Sequence, residues 1–165
     1  MVLVVVSMVG AGLLVAAGVS KLVAGGAGRV DGLPDLVPQG PLLGMVEVGI
    51  GAWALVAPGT VSLAVLGSTY ALLAALTGWQ HSMGVQDCGC FGSAPVRPSI
   101  FHTVMNAGFA VAAGLSVIAG WPELTAAAQA GAALLAVMAG FLISAVFSEA
   151  AEVSRLVAES ESVRG

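Results

Sequence analysis

Residues 2–24 have the sequence VLVVVSMVGAGLLVAAGVSKLVA, an apolar run in which Lys21 is the only charged residue. A secretory signal peptide has a basic start and a shorter apolar core, and this run lacks the first and exceeds the second. It is long enough to cross roughly 30 Å of bilayer hydrocarbon as a helix, which takes about 20 residues. We therefore predict a transmembrane helix, with the Lys21 side chain extending to the membrane interface near its end.

The whole chain shares this apolar character. Of its 165 residues, 58% are hydrophobic and only 8% are charged, against roughly 25% charged in a soluble domain. So few polar side chains cannot cover a water-exposed surface, which predicts an integral membrane protein in contact with a lipid bilayer. The chain has no basic patch interleaved with aromatic residues, so we expect no nucleic-acid partner.

Four further apolar runs follow, separated by segments rich in glycine, proline or polar residues. The runs are 42–57, 60–80, 100–120 and 124–147, and the segments between them are 25–41, Pro58-Gly59, 81–99 and Trp121-Pro122. The glycines and prolines of segment 25–41, through to Gly40 and Pro41, predict a loop. Run 42–57 is short for a span, so it either begins earlier, near Val37, or re-enters the membrane.

These runs predict an all-α, multi-pass transmembrane bundle of four to five helices over residues 1–147, followed by a polar helical tail over residues 148–165. The tail has the pattern of an amphipathic helix leaving the membrane. Glu152 and Arg155 have the i,i+3 spacing of an ion pair. One side of the tail is lined by four apolar residues, Ala150, Val153, Leu156 and Val157.

Several polar residues within the runs have structural interpretations. Trp79 and Gln80 end the third run as interfacial residues. Asn106 and Gln129, inside the fourth and fifth runs, are expected to form hydrogen bonds between helices.

Glu47 is a lone acid inside run 42–57. An ionisable side chain within a span is costly and usually faces the interior of the bundle. Two interpretations stay open: Glu47 pairs with Lys21, or it handles protons for the cysteines described next.

Both cysteines of the chain lie in segment 81–99, within the sequence Asp87-Cys88-Gly89-Cys90-Phe91-Gly92. Two cysteines can form one redox pair or half of a metal site. The glycine between them allows a bend that brings the two Cα atoms within the roughly 4.4–6.8 Å of a disulfide. Strained, exposed disulfides are oxidising and labile, so we interpret Cys88 and Cys90 as a catalytic dithiol, which makes the protein a candidate thiol–disulfide oxidoreductase.

Two other interpretations of the cysteine pair stay open. With His81 and His102, the thiolates of Cys88 and Cys90 form a ligand set that suits Zn or Cu(I), although its spacings match no zinc-finger pattern. The protein would then bind or transport a soft metal. Alternatively, it is a scaffold subunit without redox activity, in which the cysteines are incidental.

The motif Asp87–Gly92 resembles that of the MauE family, which is related to the DoxX-like membrane proteins. Ala17-Gly18-Val19-Ser20-Lys21-Leu22 at the end of the first run matches the family's pattern, as do Glu47 in the second run and Asn106 in the fourth. The resemblance covers roughly residues 10–120 and includes one departure. The family commonly has Arg before the asparagine, where this chain has Met105.

The resemblance implies a multi-pass cell-membrane protein of methylamine metabolism. Family members act in the processing, transport or maturation of the small subunit of methylamine dehydrogenase, whose disulfides are made outside the cytoplasm. It therefore implies a thioredoxin-like partner protein. By analogy with the DsbB and VKOR membrane oxidoreductases, which pass electrons from cysteines to a quinone, it also implies a quinone as a possible electron acceptor.

The membrane side of the cysteine segment stays open. Five spans bring both polar segments and the tail to one side, together with every basic residue: Lys21, Arg29, Arg97, Arg155 and Arg164. The positive-inside rule makes that side cytoplasmic. The thiol chemistry implied by the resemblance favours the opposite side.

Overall fold

The computed structural model describes residues 2–23, 39–85, 99–122 and 125–162. This part of the chain consists of five α-helices and contains no β-strand. The helices are α1 Val2–Val23, α2 Gln39–Val56, α3 Thr60–Ser82, α4 Ile100–Ala119 and α5 Ala126–Ser162. The predicted all-α fold class is therefore confirmed. The loop predicted before α2 lies for the most part outside the described residues.

Four of the helices are long and apolar enough to cross a membrane: α1, α3, α4 and the Ala126–Val146 part of α5. Helix α2 contains a shorter apolar stretch, Gly40–Val56. It packs along α1 in the opposite direction, with Gly44 against Gly18 and Gly51 against Ala11. The short second run is therefore a neighbour of α1 along much of its length.

Two helix boundaries differ from those predicted. Helix α2 begins at Gln39 and includes Gly40 and Pro41, which were expected to belong to the loop. Proline is tolerated in the first turn of a helix because the N–H groups there have no intrahelical acceptor. Helix α3 continues to Ser82, so His81 lies in its last turn and not in the following loop. The division of the chain at residue 147 stays a prediction, since α5 runs through that point without a break.

Helix α1 is the centre of the bundle. Of its apolar span 56% is buried, against 28%, 22% and 11% in the spans of α3, α4 and α5. Glycines make this possible, because small residues let helix backbones approach closely in a membrane. A Cβ atom on Gly12 would overlap the backbone of Ala136 in α5, and one on Gly140 would overlap the backbone of Gly12.

Contacts between the helices define two ends of the bundle. Ser7 near the start of α1 forms a hydrogen bond with Ser116 near the end of α4, at 3.1 Å between the Oγ atoms. Tyr70 in the middle of α3 donates its hydroxyl to the carbonyl oxygen of Gly10, at 2.5 Å. Gln129 near the start of α5 contacts Leu55 near the end of α2, which lies at the same end as Ser7. Thus α1, α3 and α5 run in one direction, and α2 and α4 run in the other. We name the end with the last turns of α1 and α3 the Lys21 end, and the opposite end the Ser7 end.

Candidate functional site

A buried ion pair joins α1 and α2 at the Lys21 end. The Lys21 Nζ atom donates to both carboxylate oxygens of Glu47, at 2.8 Å and 2.7 Å, and each side chain is 5% exposed. The pairing interpretation of Glu47 is therefore what the structure shows. The prediction that Lys21 extends to the membrane interface is wrong, because α2 covers α1 at this level and provides a carboxylate inside the bundle.

The glycine contact between α1 and α2 explains why the two charges meet. Gly18 lies three residues before Lys21, and Gly44 lies three residues before Glu47. A Cβ atom on Gly18 would lie 2.6 Å from the carbonyl oxygen of Gly44, so the two backbones touch one helical turn away from the ion pair. The close approach brings the carboxylate within reach of the lysine side chain.

Gln80, in the last turn of α3, is the most unexpected residue at the Lys21 end. It is 0% exposed, and neither its carboxamide nitrogen nor its carboxamide oxygen has a hydrogen-bond partner among the residues that the structure describes. The prediction that Gln80 is interfacial is wrong, whereas its neighbour Trp79 is 45% exposed. The spacing from Tyr70 and Thr77 contains the signal that could have shown this. Thr77 lies seven residues after Tyr70 and Gln80 lies ten residues after it, so the three side chains share one face of α3. Tyr70 and Thr77 are both buried, which indicates that Gln80 is buried too.

Helices α3 and α4 meet at this end through two threonine hydroxyls, and the first turn of α4 contains a polar contact of its own. The hydroxyls of Thr77 and Thr103 lie 3.3 Å apart. In the first turn of α4, the His102 ring Nδ1 lies 2.8 Å from the hydroxyl of Ser99. The sequence did not draw attention to these threonines, because a hydroxyl in an apolar run changes its hydropathy very little.

Cys88 and Cys90 lie outside the described residues. They belong to segment 86–98, which connects α3 to α4 in the sequence, and both flanking helix ends are at the Lys21 end. The last described residue before the segment, Val85, donates its backbone N–H to the carbonyl oxygen of Gln80, at 3.1 Å. The buried ion pair therefore lies at the same end of the bundle as the two helix ends from which the cysteine segment starts and finishes.

The alternative metal site is not tested by this geometry. His81 is exposed in the last turn of α3, and His102 is buried in the first turn of α4. Among the residues that the structure describes, no group of three or more His, Cys, Asp and Glu side chains could hold a metal ion. A set that includes Cys88 and Cys90 stays a prediction.

The two expected interhelical hydrogen bonds have different outcomes. Gln129 donates its side-chain Nε2 to the backbone carbonyl of Leu55, at 2.6 Å. That carbonyl lies in the last turn of α2, where helix carbonyls lack an intrahelical partner, so Gln129 caps α2 from α5. Asn106 forms no hydrogen bond with the described residues.

The membrane side was predicted from five basic residues, and the structure describes the side chain of only one of them, Lys21. Arg29, Arg97 and Arg164 lie outside the described residues, as does the side chain of Arg155 with its predicted pairing to Glu152. The membrane side of the Lys21 end therefore stays a prediction. A cavity of about 440 Å³ with Leu3, Ser116 and Trp121 in its lining lies at the Ser7 end, away from the ion pair.

A bundle of long apolar helices with a charged pair in its interior defines a multi-pass α-helical membrane protein. Residues 1–121 match the model of a family described as methylamine utilisation protein MauE. Because the match covers 121 of 165 residues, the chain belongs to the MauE family. It includes α1 to α4 and ends before α5. Searches of curated proteins and of solved structures gave no match.

Proposed function

We propose that this chain is a membrane thiol–disulfide redox protein that works through Cys88 and Cys90. The observation that carries the proposal is the organisation of the Lys21 end. There, the two helix ends that flank the Cys-Gly-Cys segment lie at the same end of the bundle as the buried ion pair of Lys21 and Glu47. Ionisable groups inside a membrane bundle are costly and commonly mark a functional site.

The proposed reaction is an exchange of disulfides with a partner protein. The thiolate of one cysteine attacks a disulfide of the partner, which forms a mixed disulfide and releases one partner thiolate. The second cysteine attacks the mixed disulfide, so that a bond forms between Cys88 and Cys90 and the partner leaves with two thiols. Two electrons pass to the partner, and in the reverse direction the partner is oxidised.

The family suggests a setting for this exchange. MauE is described as a methylamine utilisation protein, so we propose that the partner is a thioredoxin-like protein that serves maturation of the methylamine dehydrogenase small subunit at the plasma membrane. In the direction that oxidises the partner, Cys88 and Cys90 end as two thiols, and their re-oxidation to a disulfide releases two electrons and two protons. The two electrons and two protons would pass to a lipid-soluble quinone, which would leave as a quinol and so close the cycle within the membrane.

Glu47 is a candidate for handling one of these protons. Its carboxylate is buried at the Lys21 end and is held in place by the Lys21 ammonium group. Glu47→Gln should then slow the thiol–disulfide exchange more strongly at low pH than at high pH. If it lowers the rate equally at every pH, or only reduces the amount of folded protein, Glu47 is structural.

Trapping of a mixed disulfide tests the proposal. In Cys88→Ser or Cys90→Ser, one attacking thiol remains but no second thiol can resolve the intermediate. One of the two variants should therefore accumulate a covalent complex with a partner protein on non-reducing gels, and the complex should disappear on reduction. The other single variant and the double variant Cys88→Ser/Cys90→Ser are the matched controls.

Two results would reject the proposal. If neither single variant captures a partner and the wild-type thiols stay reduced in cells, the protein does not exchange disulfides. If purified protein contains stoichiometric Zn or Cu that is lost in Cys88→Ser, the soft-metal interpretation replaces it. Normal growth on methylamine by cells carrying only the double variant would favour a scaffold role.

A further inference from the structure

The side chain of Gln80 is buried at the Lys21 end without contributing a hydrogen bond to the described part of the fold. Its exposed fraction is 0%, and neither polar atom of its carboxamide has a partner among the described residues. Burial of an amide in this way is unfavourable, because the group loses its hydrogen bonds to water and gains none in return. Such groups are rare in native structures, and a role in redox chemistry or catalysis is one of their recognised causes.

Gln129 shows what a structural glutamine does in this bundle. It is partly buried, and its Nε2 atom donates to the backbone carbonyl of Leu55 at 2.6 Å, so its side chain joins two helices. Thr77, one turn before Gln80 on α3, likewise donates its hydroxyl to the backbone carbonyl of Leu73. Gln80 makes no comparable contact with the described residues. Its carboxamide therefore does not have the role in packing that the other buried polar groups have.

The end of α3 fixes the place of Gln80 in the fold. Gly84 has a φ of +68°, and its N–H donates to the carbonyl of His81 at 3.2 Å. The N–H of Val85 donates to the carbonyl of Gln80 at 3.1 Å. Together these two bonds and the glycine form a Schellman motif, which ends a helix at a defined residue. Gln80 therefore lies in a well-formed last turn of α3.

Gln80 lies deep in the bundle and close in the chain to the first cysteine. Tyr70 donates its hydroxyl to the carbonyl of Gly10, and Gln80 follows Tyr70 by ten residues in a helix parallel to α1, which brings it to the level of the last turn of α1. Cys88 follows Val85 by three residues, which span at most about 11 Å of extended chain. Since Val85 is bonded to the backbone of Gln80, the Cys88 sulfur is within reach of the carboxamide.

We infer that Gln80 belongs to the redox site and that its carboxamide N–H donates a hydrogen bond to the thiolate of Cys88. The inference rests on the proposed disulfide exchange. A hydrogen bond to an ionised acceptor is stronger than one to a neutral acceptor, and the donor is itself neutral, so its burial costs less than that of a lysine or arginine. The bond stabilises the reduced pair relative to the disulfide, which makes the disulfide a stronger oxidant.

Replacement of Gln80 by an apolar residue of similar shape should have opposite effects on stability and on redox chemistry. In the oxidised protein, where the thiolate is absent, Gln80→Met removes an unsatisfied buried amide and should raise the thermal midpoint. In the thiol–disulfide equilibrium it removes the donor, so the equilibrium constant should shift about tenfold toward the disulfide. Maleimide labelling of the purified protein in glutathione buffers of defined ratio measures this constant.

The matched control is Gln129→Met, which removes a glutamine that is bonded within the fold. It should lower the thermal midpoint, because the Leu55 carbonyl loses its donor, and it should leave the equilibrium constant of the cysteine pair unchanged. The two glutamine variants should therefore differ in the sign of their effect on stability, and only Gln80→Met should change the redox equilibrium.

Two results would overturn the inference. A lower thermal midpoint for oxidised Gln80→Met would show that the carboxamide is bonded within the fold and is structural. An equilibrium constant equal to that of the wild type would show that the carboxamide does not touch the thiolate, while disulfide exchange itself would stand. A wild-type protein whose thiols form no disulfide in any of the buffers would reject the proposed function, and the inference with it.

Discussion

Helices α1 and α2 form one antiparallel pair and α3 and α4 form another, and the two pairs are held together by different means. Between α1 and α2 the backbones touch at Gly18 and Gly44, and a buried ion pair bridges the helices one turn away. Between α3 and α4, a Cβ atom on Gly67 would lie at an ordinary contact distance of 3.4 Å from the Ala110 carbonyl oxygen, and the polar contact is a neutral one between Thr77 and Thr103.

This difference indicates how sensitive each pair is to change. Between α1 and α2 there is no room for an added methyl group, and neither charge can lose its partner without a large penalty. At Gly67, between α3 and α4, an added methyl group makes only ordinary contacts, and the threonine hydroxyls contribute little to stability. The cysteine segment connects the helices of the second, more tolerant pair. We therefore expect α1 and α2 to form a rigid unit of the bundle. Helices α3 and α4, which flank the cysteine segment, should change their packing more easily.

The largest effect is expected from Lys21→Met, which leaves the Glu47 carboxylate buried and unpaired. Breaking such a pair costs about 3–5 kcal/mol of the free energy of unfolding. The double variant Lys21→Met/Glu47→Leu should recover most of that loss, because an apolar pair of similar volume needs no partner. Denaturation of the purified protein with SDS in mixed micelles measures both values. A loss below about 1 kcal/mol for the single variant would mean that the ion pair does not form.

The same glycine-to-alanine change in each pair compares them directly. Gly18→Ala places a methyl group against the backbone of Gly44 and should cost about 1–3 kcal/mol. Gly67→Ala makes only ordinary contacts and removes a poor helix former, so it should be neutral or stabilising by up to about 1 kcal/mol. The thermal midpoints of both variants in the same detergent provide the test. Equal losses at the two positions would contradict the difference between the pairs.

Tyr70→Phe tests the link between the pairs. The variant loses the hydrogen bond to the Gly10 carbonyl but keeps the ring beside Phe109, whose centroid is 5.0 Å away. We expect a loss of about 1 kcal/mol in the free energy of unfolding. Phe109→Leu is the complementary variant, which changes the ring contact and keeps the hydrogen bond. No change in stability for Tyr70→Phe would show that the hydroxyl finds another partner.

The smallest effect is expected from Thr103→Val, which removes a hydroxyl of the contact between α3 and α4 and keeps the side-chain shape. Interhelical hydrogen bonds in membrane proteins contribute about 0.6 kcal/mol on average. SDS denaturation should therefore show a loss of less than about 1 kcal/mol. A loss as large as that of Lys21→Met would mean that the second pair is as sensitive as the first.

The sequence predicted four to five helices, and their order, because long apolar runs are a direct consequence of bilayer thickness. It assigned Gly40 and Pro41 to the loop, because glycine and proline are typical of loops but are also tolerated in the first turn of a helix. One of its two interpretations of the short second run, an earlier start near Val37, comes close to the observed start at Gln39. It could not decide between the two roles of Glu47, because that depends on whether α2 packs against α1 at the level of Lys21. It assigned Gln80 to the interface because hydropathy does not report which helix face the neighbouring helices cover.

The redox state of Cys88 and Cys90 in native membranes tests the central proposal most directly. Cells are quenched in acid, and free thiols are then labelled with a maleimide that adds a resolvable mass. We predict that wild-type protein contains a fraction with both thiols protected, that dithiothreitol releases them, and that a mild oxidant restores the protected form. Two thiols that stay free in untreated cells and under mild oxidant would contradict a role in disulfide exchange.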